Sequence, residues 1–434
     1  MKVLILAAGS RGDVAPYTGV GARLREAGYE VALATHGTYE PLVRASGLEF
    51  RSLPADPNGG GSDSGRGGRG GEGSEDGGGG AANGRDTEGG SKSLLRKASA
   101  FIQELGRGIA DAVAQGADLL LLSTTTAPLG WHAAEASGIP SLGVYLQPVA
   151  PTGCFPPVVG GTRSLGRWGN RAAGRVSLRV VDRLHAAAAR DLRDRLGLPA
   201  VPPGAMRRRQ EAAGWRILHG FSETLVPRPA DWREGLEVVG NWWPHHPAGA
   251  RLPAEVADFI GAGPPPVFIG FGSMAGGDGE RLSGLAVQAL RAAGLRGVLQ
   301  AGAAGLSASS AAAHGDDVLT VGDVPHAPLF PRMAAVVHHS GAGTAAAGLR
   351  AGVPAVPVPV MADQPFWARR LTSLGAATAP IPFTELTADR LADALRSAVT
   401  DASYRAGAAR AALAVDAEDG AGRVAAAVKA AVGG

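Results

Sequence analysis

Short apolar runs alternate along this chain with longer stretches whose apolar positions recur at helical spacing. Val3–Ala8, Val31–Thr35, Leu119–Ser123 and Leu142–Leu146 read as apolar strands, with Leu48–Leu53 as a third strand in chain order. Between them Gly21–Ala27, Glu40–Ala45, Leu94–Val113 and Trp131–Ala136 read as helices. Strands apolar on both faces, separated by helices, predict a parallel sheet covered on both sides. The pattern restarts after Pro264-Pro265-Pro266. Here Val267–Phe271, Gly297–Gln300, Val318–Val321, Val336–His339 and Ala355–Val360 predict strands. Leu282–Ala293, Pro328–Met333, Ala345–Ala351 and Pro365–Leu374 predict their helices, and Gly420–Val432 a last one. The chain therefore predicts two Rossmann-like α/β halves, 1–239 and 251–434. The Trp- and Pro-rich stretch within 240–250 reads as the linker.

One segment departs from this alternation. Residues 58–91 are almost entirely Gly, Ser and mixed charge, cannot bury apolar surface, and predict a disordered insertion. The rest of the 434 residues is ample for a large core, with 45% hydrophobic and 19% charged residues. A net charge of +3 without a lysine-arginine block argues against a nucleic-acid partner. The single Cys154 excludes an intramolecular disulfide and a cysteine-built zinc site, and reads as a half-buried inert thiol. No apolar run approaches the ~20 residues of a membrane helix. The expectation is a cytoplasmic protein with at most peripheral membrane contact.

The chemistry concentrates in His338-His339-Ser340-Gly341-Ala342-Gly343-Thr344, followed after an apolar Pro/Val stretch by Asp363-Gln364. A buried strand ends at the histidines. Gly341 and Gly343 let backbone approach a ligand, and the helix that starts at Ala342 points its free N–H groups into the turn, where phosphate binds readily. His339 and Thr344 add side-chain donors. Asp363 and Gln364, after the next strand, can reach hydroxyl groups beside the phosphates.

These residues resemble the nucleotide-sugar signature of the GT-B glycosyltransferases, in the UDP-glycosyltransferase family. The nearer likeness is to its sterol and antibiotic glycosyltransferase branch, which commonly reads His-His-Gly-Gly-Ala-Gly-Thr. Ser340 stands where that branch has its first Gly, and Ala362 where it usually has Gly before Asp-Gln. The resemblance covers nearly the whole chain. It implies the GT-B fold, an active site between the halves, and a last helix crossing back to the first domain.

The first strand ends in Ala8-Gly9-Ser10-Arg11-Gly12-Asp13-Val14-Ala15-Pro16, which is not the dinucleotide fingerprint. It is similar to the first loop of the same branch, where the Asp is the proposed general base. The resemblance thus assigns Asp13 the acceptor proton and Ser10 and Gly12 a share in holding phosphate or acceptor. Asp13 also reads as a cap for the helix that follows. His132, opening the helix after Leu119–Ser123, is the alternative base and otherwise a packing residue. Gln147-Pro148 and Thr152 fall in the loop that lines the acceptor pocket in the resembling proteins. Ser273, in Gly270-Phe271-Gly272-Ser273, corresponds to a diphosphate contact there, and Val324 to a contact with the nucleotide base.

The likely-site loops hold no carboxylate pair with metal spacing, so the expectation is no cofactor beyond a UDP- or dTDP-sugar co-substrate. The function predicted is inverting transfer of a hexose, glucose first, to a hydroxyl of a lipophilic small molecule. A second reading is a weak homologue that binds nucleotide or supports a partner enzyme. The intact Asp13, His339, Thr344 and Asp363-Gln364 argue against it.

Overall fold

The computed structural model describes residues 1–54, 86–161, 163–246, 251–272, 279–302, 305–307 and 316–432, with 86–97 described as backbone only. Ser273 and most of the Gly-rich segment lie outside these residues. The helix Asp86–Ala114 starts ahead of the predicted Leu94 and takes up the end of that segment.

The first half is a seven-stranded sheet. Its strands are β1 (Lys2–Leu6), β2 (Glu30–His36), β3 (Glu49–Leu53), β4 (Leu119–Leu122), β5 (Ser141–Tyr145), β6 (Ile217–His219) and β7 (Leu236–Val238). They lie in the order β3-β2-β1-β4-β5-β6-β7, each parallel to its neighbours. The second half is a five-stranded sheet of β8 (Val267–Gly270), β9 (Gly297–Gln300), β10 (Val318–Val321), β11 (Ala335–His338) and β12 (Ala355–Pro357). Its order is β10-β9-β8-β11-β12, again all parallel. Leu119 to Leu122 are fully buried, as a strand covered by helices on both faces must be.

In a parallel sheet, loops diverge where strand order reverses, and the crevice left outside the strand carboxyl ends is the natural ligand site. Order reverses between β1 and β4 in the first sheet and between β8 and β11 in the second. The Ser10–Asp13 and His338–Thr344 strings follow β1 and β11. Thr126 Oγ1 donates to the Leu6 carbonyl at 2.8 Å and Thr125 Oγ1 to that of Ala8 at 2.8 Å, tying the β4 loop to the β1 end.

The halves share one core. Phe155, Val158 and Phe221 from the first half pack in the same buried cluster as Phe366, Trp367 and Leu371 from the second. Phe155 and Phe366 ring centroids are 5.2 Å apart, and those of Phe221 and Trp367 5.8 Å. The segment 240–246 is packed rather than loose: Trp242 is 3% exposed and lies 5.6 Å from the Tyr17 ring. The helix Gly420–Val432 packs Val424, Ala427 and Val428 into the core of the first sheet. It arrives there over Gly240, so closely that a Cβ on Gly420 would sit 2.5 Å from the Gly240 carbonyl oxygen.

That approach cannot take a methyl group without moving backbone. Gly420→Ala is expected to lower unfolding free energy by about 1–3 kcal/mol in urea denaturation. An unchanged midpoint would show that the last helix does not depend on this contact.

Candidate functional site

Asp13 sits in the first turn of the helix Arg11–Glu26, which begins well ahead of the predicted Gly21. The Ser10 N–H donates to Asp13 Oδ2 at 3.0 Å and the Ser10 hydroxyl to the same oxygen at 2.8 Å. This is the reciprocal cap of a helix start, with Asp in the place where Glu is usual. Gln147 Nε2 reaches the other oxygen, Oδ1, at 3.3 Å, while its own Oε1 accepts from Thr124 at 3.1 Å. The carboxylate is therefore oriented from both sides. Gly9, at φ +139°, lets it lie close: a Cβ there would be 2.7 Å from Asp13 Oδ2. The Gly9 N–H donates to His36 Nε2 at 3.0 Å, which leaves the ring proton on Nδ1, facing the Pro54 carbonyl.

His339 stands at the end of β11 between two glycines. A Cβ on Gly272 would be 2.7 Å from His339 Cε1, and one on Gly341 2.6 Å from Nε2, so the ring lies flush between two backbones. Its Nδ1 is buried and, among the described residues, without a partner. Burial holds the ring down to about 4, so it is neutral at pH 7. His338 points inward: it is fully buried, its Nδ1 accepts from the Ser340 N–H at 3.0 Å, and burial followed by the neighbouring histidines holds it down to about 3. Beyond it the helix Ala342–Arg350 starts, with Gly341 as its cap and Gly343 and Thr344 in its first turn. The space where a Cβ on Gly343 would stand is open.

Asp363 caps the helix Gln364–Ser373 and accepts from the Trp367 indole N–H at 2.8 Å. Burial pushes its carboxyl above the ordinary value, the Trp367 bond pulls it back, and the negative charge of Asp13 adds to the rise. Asp13 is thus near enough for its charge to act on Asp363. A second link joins the loop of Asp13 to the loop after β10, an ion pair between Arg11 and Asp323, which precedes Val324. Gln364 is 4% exposed, and its Oε1 accepts from the Val360 and Met361 N–H groups at 2.8 and 3.1 Å, leaving its NH2 to donate.

Several predicted residues take other places. His132 does not join Asp13. It is 3% exposed and its Nδ1 faces Arg193 Nη1 at 3.0 Å. It lines a cavity of about 50 Å³ with Asp182, His185 and Arg207, among the helices behind the sheet. Burial and then the charge of Arg193 hold it down to about 4, so it is a packing residue held by an arginine. Thr152 is 2% exposed, and its hydroxyl donates to Asp231 at 2.6 Å; it anchors the loop after β5 instead of standing open to a ligand. Pro148 is likewise buried, with Gln147 beside it partly open. Val324 is 5% exposed and packs in the shared core rather than standing open in a loop. Cys154 is exposed, where a half-buried thiol was expected. Among the described residues no three His, Cys, Asp or Glu side chains group as a metal site.

His36, Asp231 and the Arg11–Asp323 pair were not found from sequence. They act through partners 27, 79 and 312 positions away, which no local pattern marks. Trp367 was within reach, because its spacing of four from Asp363 puts both on one helix face.

Ser340 and Ala362 are, among the described residues, the two non-glycine residues with left-handed backbone, at φ 63° and 56°. Both stand where the resembling branch has glycine. A side chain in that conformation costs about 1–2 kcal/mol, and the Ser340 hydroxyl is also buried without a partner. Ser340→Gly and Ala362→Gly are each expected to raise unfolding free energy by about 1 kcal/mol. Calorimetry checks this; a lower melting temperature in both would contradict the strain.

Residues 3–70 match the glycosyltransferase family 28 N-terminal domain, and residues 303–430 the erythromycin biosynthesis protein CIII-like C-terminal domain. The chain is 34% identical to the O-mycaminosyltylonolide 6-deoxyallosyltransferase of Streptomyces fradiae, over 97% of this chain and 95% of that one. It is 33% identical to a sterol 3-beta-glucosyltransferase of Arabidopsis thaliana over 99% of this chain, but spans only 65% of that protein. Other sterol glucosyltransferases are longer still, and the chain spans 25% of the one from Cryptococcus neoformans. Among solved structures, the kitacinnamycin glycosyltransferase aligns at TM-score 0.70 and 18% identity, covering 99% of this chain and 98% of that one. The glycosyltransferase VinC, solved with dTDP, aligns at TM-score 0.67 and 21% identity over 100% of both. These neighbours share the two-sheet fold described above. The chain belongs to the GT-B glycosyltransferases, in the UDP-glycosyltransferase family and its branch of sterol and antibiotic glycosyltransferases.

Proposed function

We propose that this enzyme moves a hexose, glucose first among them, from a UDP- or dTDP-sugar to a hydroxyl of a lipophilic small molecule, with inversion. The observation that carries the reading is the Arg11–Asp323 ion pair, which joins the loop of Asp13 after β1 to the loop after β10 of the other sheet, with the charge of Asp13 also felt at Asp363. The relatives by name act on a sterol and on O-mycaminosyltylonolide, which supports a lipophilic acceptor. A structural neighbour bound to dTDP supports a nucleotide donor.

In this mechanism the diphosphate lies at the start of the helix Ala342–Arg350, where free N–H groups and the helix dipole oppose its charge. Neutral His339 donates a hydrogen bond there, and a dianion beside it raises its affinity for a second proton. Asp363 and the Gln364 NH2 hold sugar hydroxyls. Asp13 takes the proton of the acceptor hydroxyl as its oxygen bonds to the anomeric carbon, and the bond from that carbon to the diphosphate oxygen breaks. The nucleoside diphosphate leaves with the electron pair. Proton transfer to a carboxylate works here because it comes late, when the acceptor oxygen has already become acidic. Donors arranged before the reaction stabilise the departing charge.

The test is nucleoside-diphosphate release from UDP- and dTDP-sugars, with and without sterol, flavonoid and macrolide alcohols. Acceptor-stimulated release is expected. Asp13→Asn keeps the Ser10 bonds in shape and is expected to lower kcat roughly 10²–10⁴-fold with the donor KM little changed. Full activity in Asp13→Asn would overturn its role as base, and no release with any donor would favour the weak nucleotide-binding homologue.

A further inference from the structure

The helix Gly166–Arg195 carries two parallel rows of side chains with opposite character. Arg167, Arg171, Arg175, Arg179 and Arg183 stand four apart. Directly beside them run Trp168, Ala172, Val176, Val180 and Leu184, also four apart. Each step of four turns the helix by about 40°, so the rows wind slowly, and Trp168, Ala172, Arg175, Val176, Arg179 and Arg183 share one side within an arc of about 100°. The apolar row lies in solvent: Trp168 is 87% exposed, Val176 53%, Val180 47% and Leu184 49%. Leu165 at 61% and Val159 at 57% carry it back toward the acceptor-side loop.

The arginine row is equally uncovered. Arg175, Arg179 and Arg183 are exposed and have no carboxylate partner among the described residues, and Arg171 stands 3.9 Å from Asp231. No Asp or Glu occurs from Ala136 to Val181. The first to appear, Asp182, is held by Arg207 at 2.7 Å. Cations repel each other along this row while an indole and three aliphatic side chains are left in water. One environment relieves both: an anionic surface with an apolar layer behind it. Arginine stems then reach to phosphates while the neighbouring row enters the acyl boundary, with the tryptophan at headgroup level. A protein partner would need a shaped pocket for the indole and a carboxylate for each arginine, whereas an anionic bilayer offers phosphates with an apolar layer behind them wherever the two rows meet it.

We propose that this face docks the enzyme on membranes rich in anionic lipid. The start of the helix is tied to the acceptor-side loop: Asn170 donates to the Gly153 carbonyl at 3.2 Å, and Gly174 packs against Pro151. Both residues lie on the buried side of the helix, so docking holds that loop one helix diameter, roughly 10 Å, behind the bilayer surface, within reach of a lipophilic acceptor leaving the lipid; this last step rests on the function proposed above, while the docking itself does not.

The experiment is co-sedimentation of the full chain with vesicles of phosphatidylcholine alone or mixed with phosphatidylglycerol. Binding is expected only to the mixture and is expected to weaken as salt rises. The triple variant Arg175→Gln, Arg179→Gln, Arg183→Gln is expected to bind roughly 100-fold more weakly, from about 1 kcal/mol per arginine at such a surface. Trp168→Ser is expected to weaken binding with the arginines intact. Both variants should keep the wild-type melting temperature and nucleotide release with a water-soluble acceptor. No binding to the mixed vesicles, or equal binding by the triple variant, would overturn the proposal. A concentration-dependent dimer lost in Trp168→Ser, with no vesicle binding, would assign the face to a second copy of the chain instead.

Discussion

The seam of Phe155 and Phe221 against Phe366 and Trp367 is the contact on which the rest of the site depends. Each sheet alone leaves a crevice where its strand order reverses, and neither crevice holds enough groups for a transfer reaction. The seam turns the two crevices toward each other. Trp367 has a part in both tasks, since its ring packs on the first half while its N–H fixes Asp363. A displacement at that aromatic contact is therefore carried directly to a carboxylate in the cleft.

The two edges differ in how they handle charge. On the first sheet, Asp13 is a carboxylate with defined donors, two from Ser10 and one from Gln147. On the second, burial removes charge: His326, His338 and His339 are all held far below their ordinary values, chiefly by desolvation. The second edge is thus built from neutral dipoles and helix N–H groups, which under the proposed function need little reorganisation when a diphosphate forms. The strain at Ser340 and Ala362 is concentrated in the same loops, where side chains occupy backbone conformations that glycine takes freely.

Much of this was legible in the chain. Strand cores such as Leu119–Leu122 announce themselves because both faces are buried. The His338–Thr344 string could be read because a strand end, two glycines and a helix start leave a local pattern. The start of the helix Arg11–Glu26 was missed because Gly12, Pro16 and Gly19 weaken its helical signature, although Pro16 is tolerated near the first turn. β6 and β7 are three residues long, too short to show a period. The side of a helix that a histidine faces is set by tertiary packing, which is why His132 read as a candidate base and proved to be a partner of Arg193. Thr152 misled for the same reason, since Asp231 is 79 positions distant.

The central claim is a single displacement, in which Asp13 activates the acceptor on the face opposite the leaving diphosphate. The most direct measurement is the anomeric configuration of the glycoside formed from an α-linked nucleotide sugar, read from the proton coupling at the anomeric carbon. The account predicts the β-glycoside. An α-glycoside would contradict it, because retention requires either a second displacement or attack from the donor face, and the proposed mechanism contains neither.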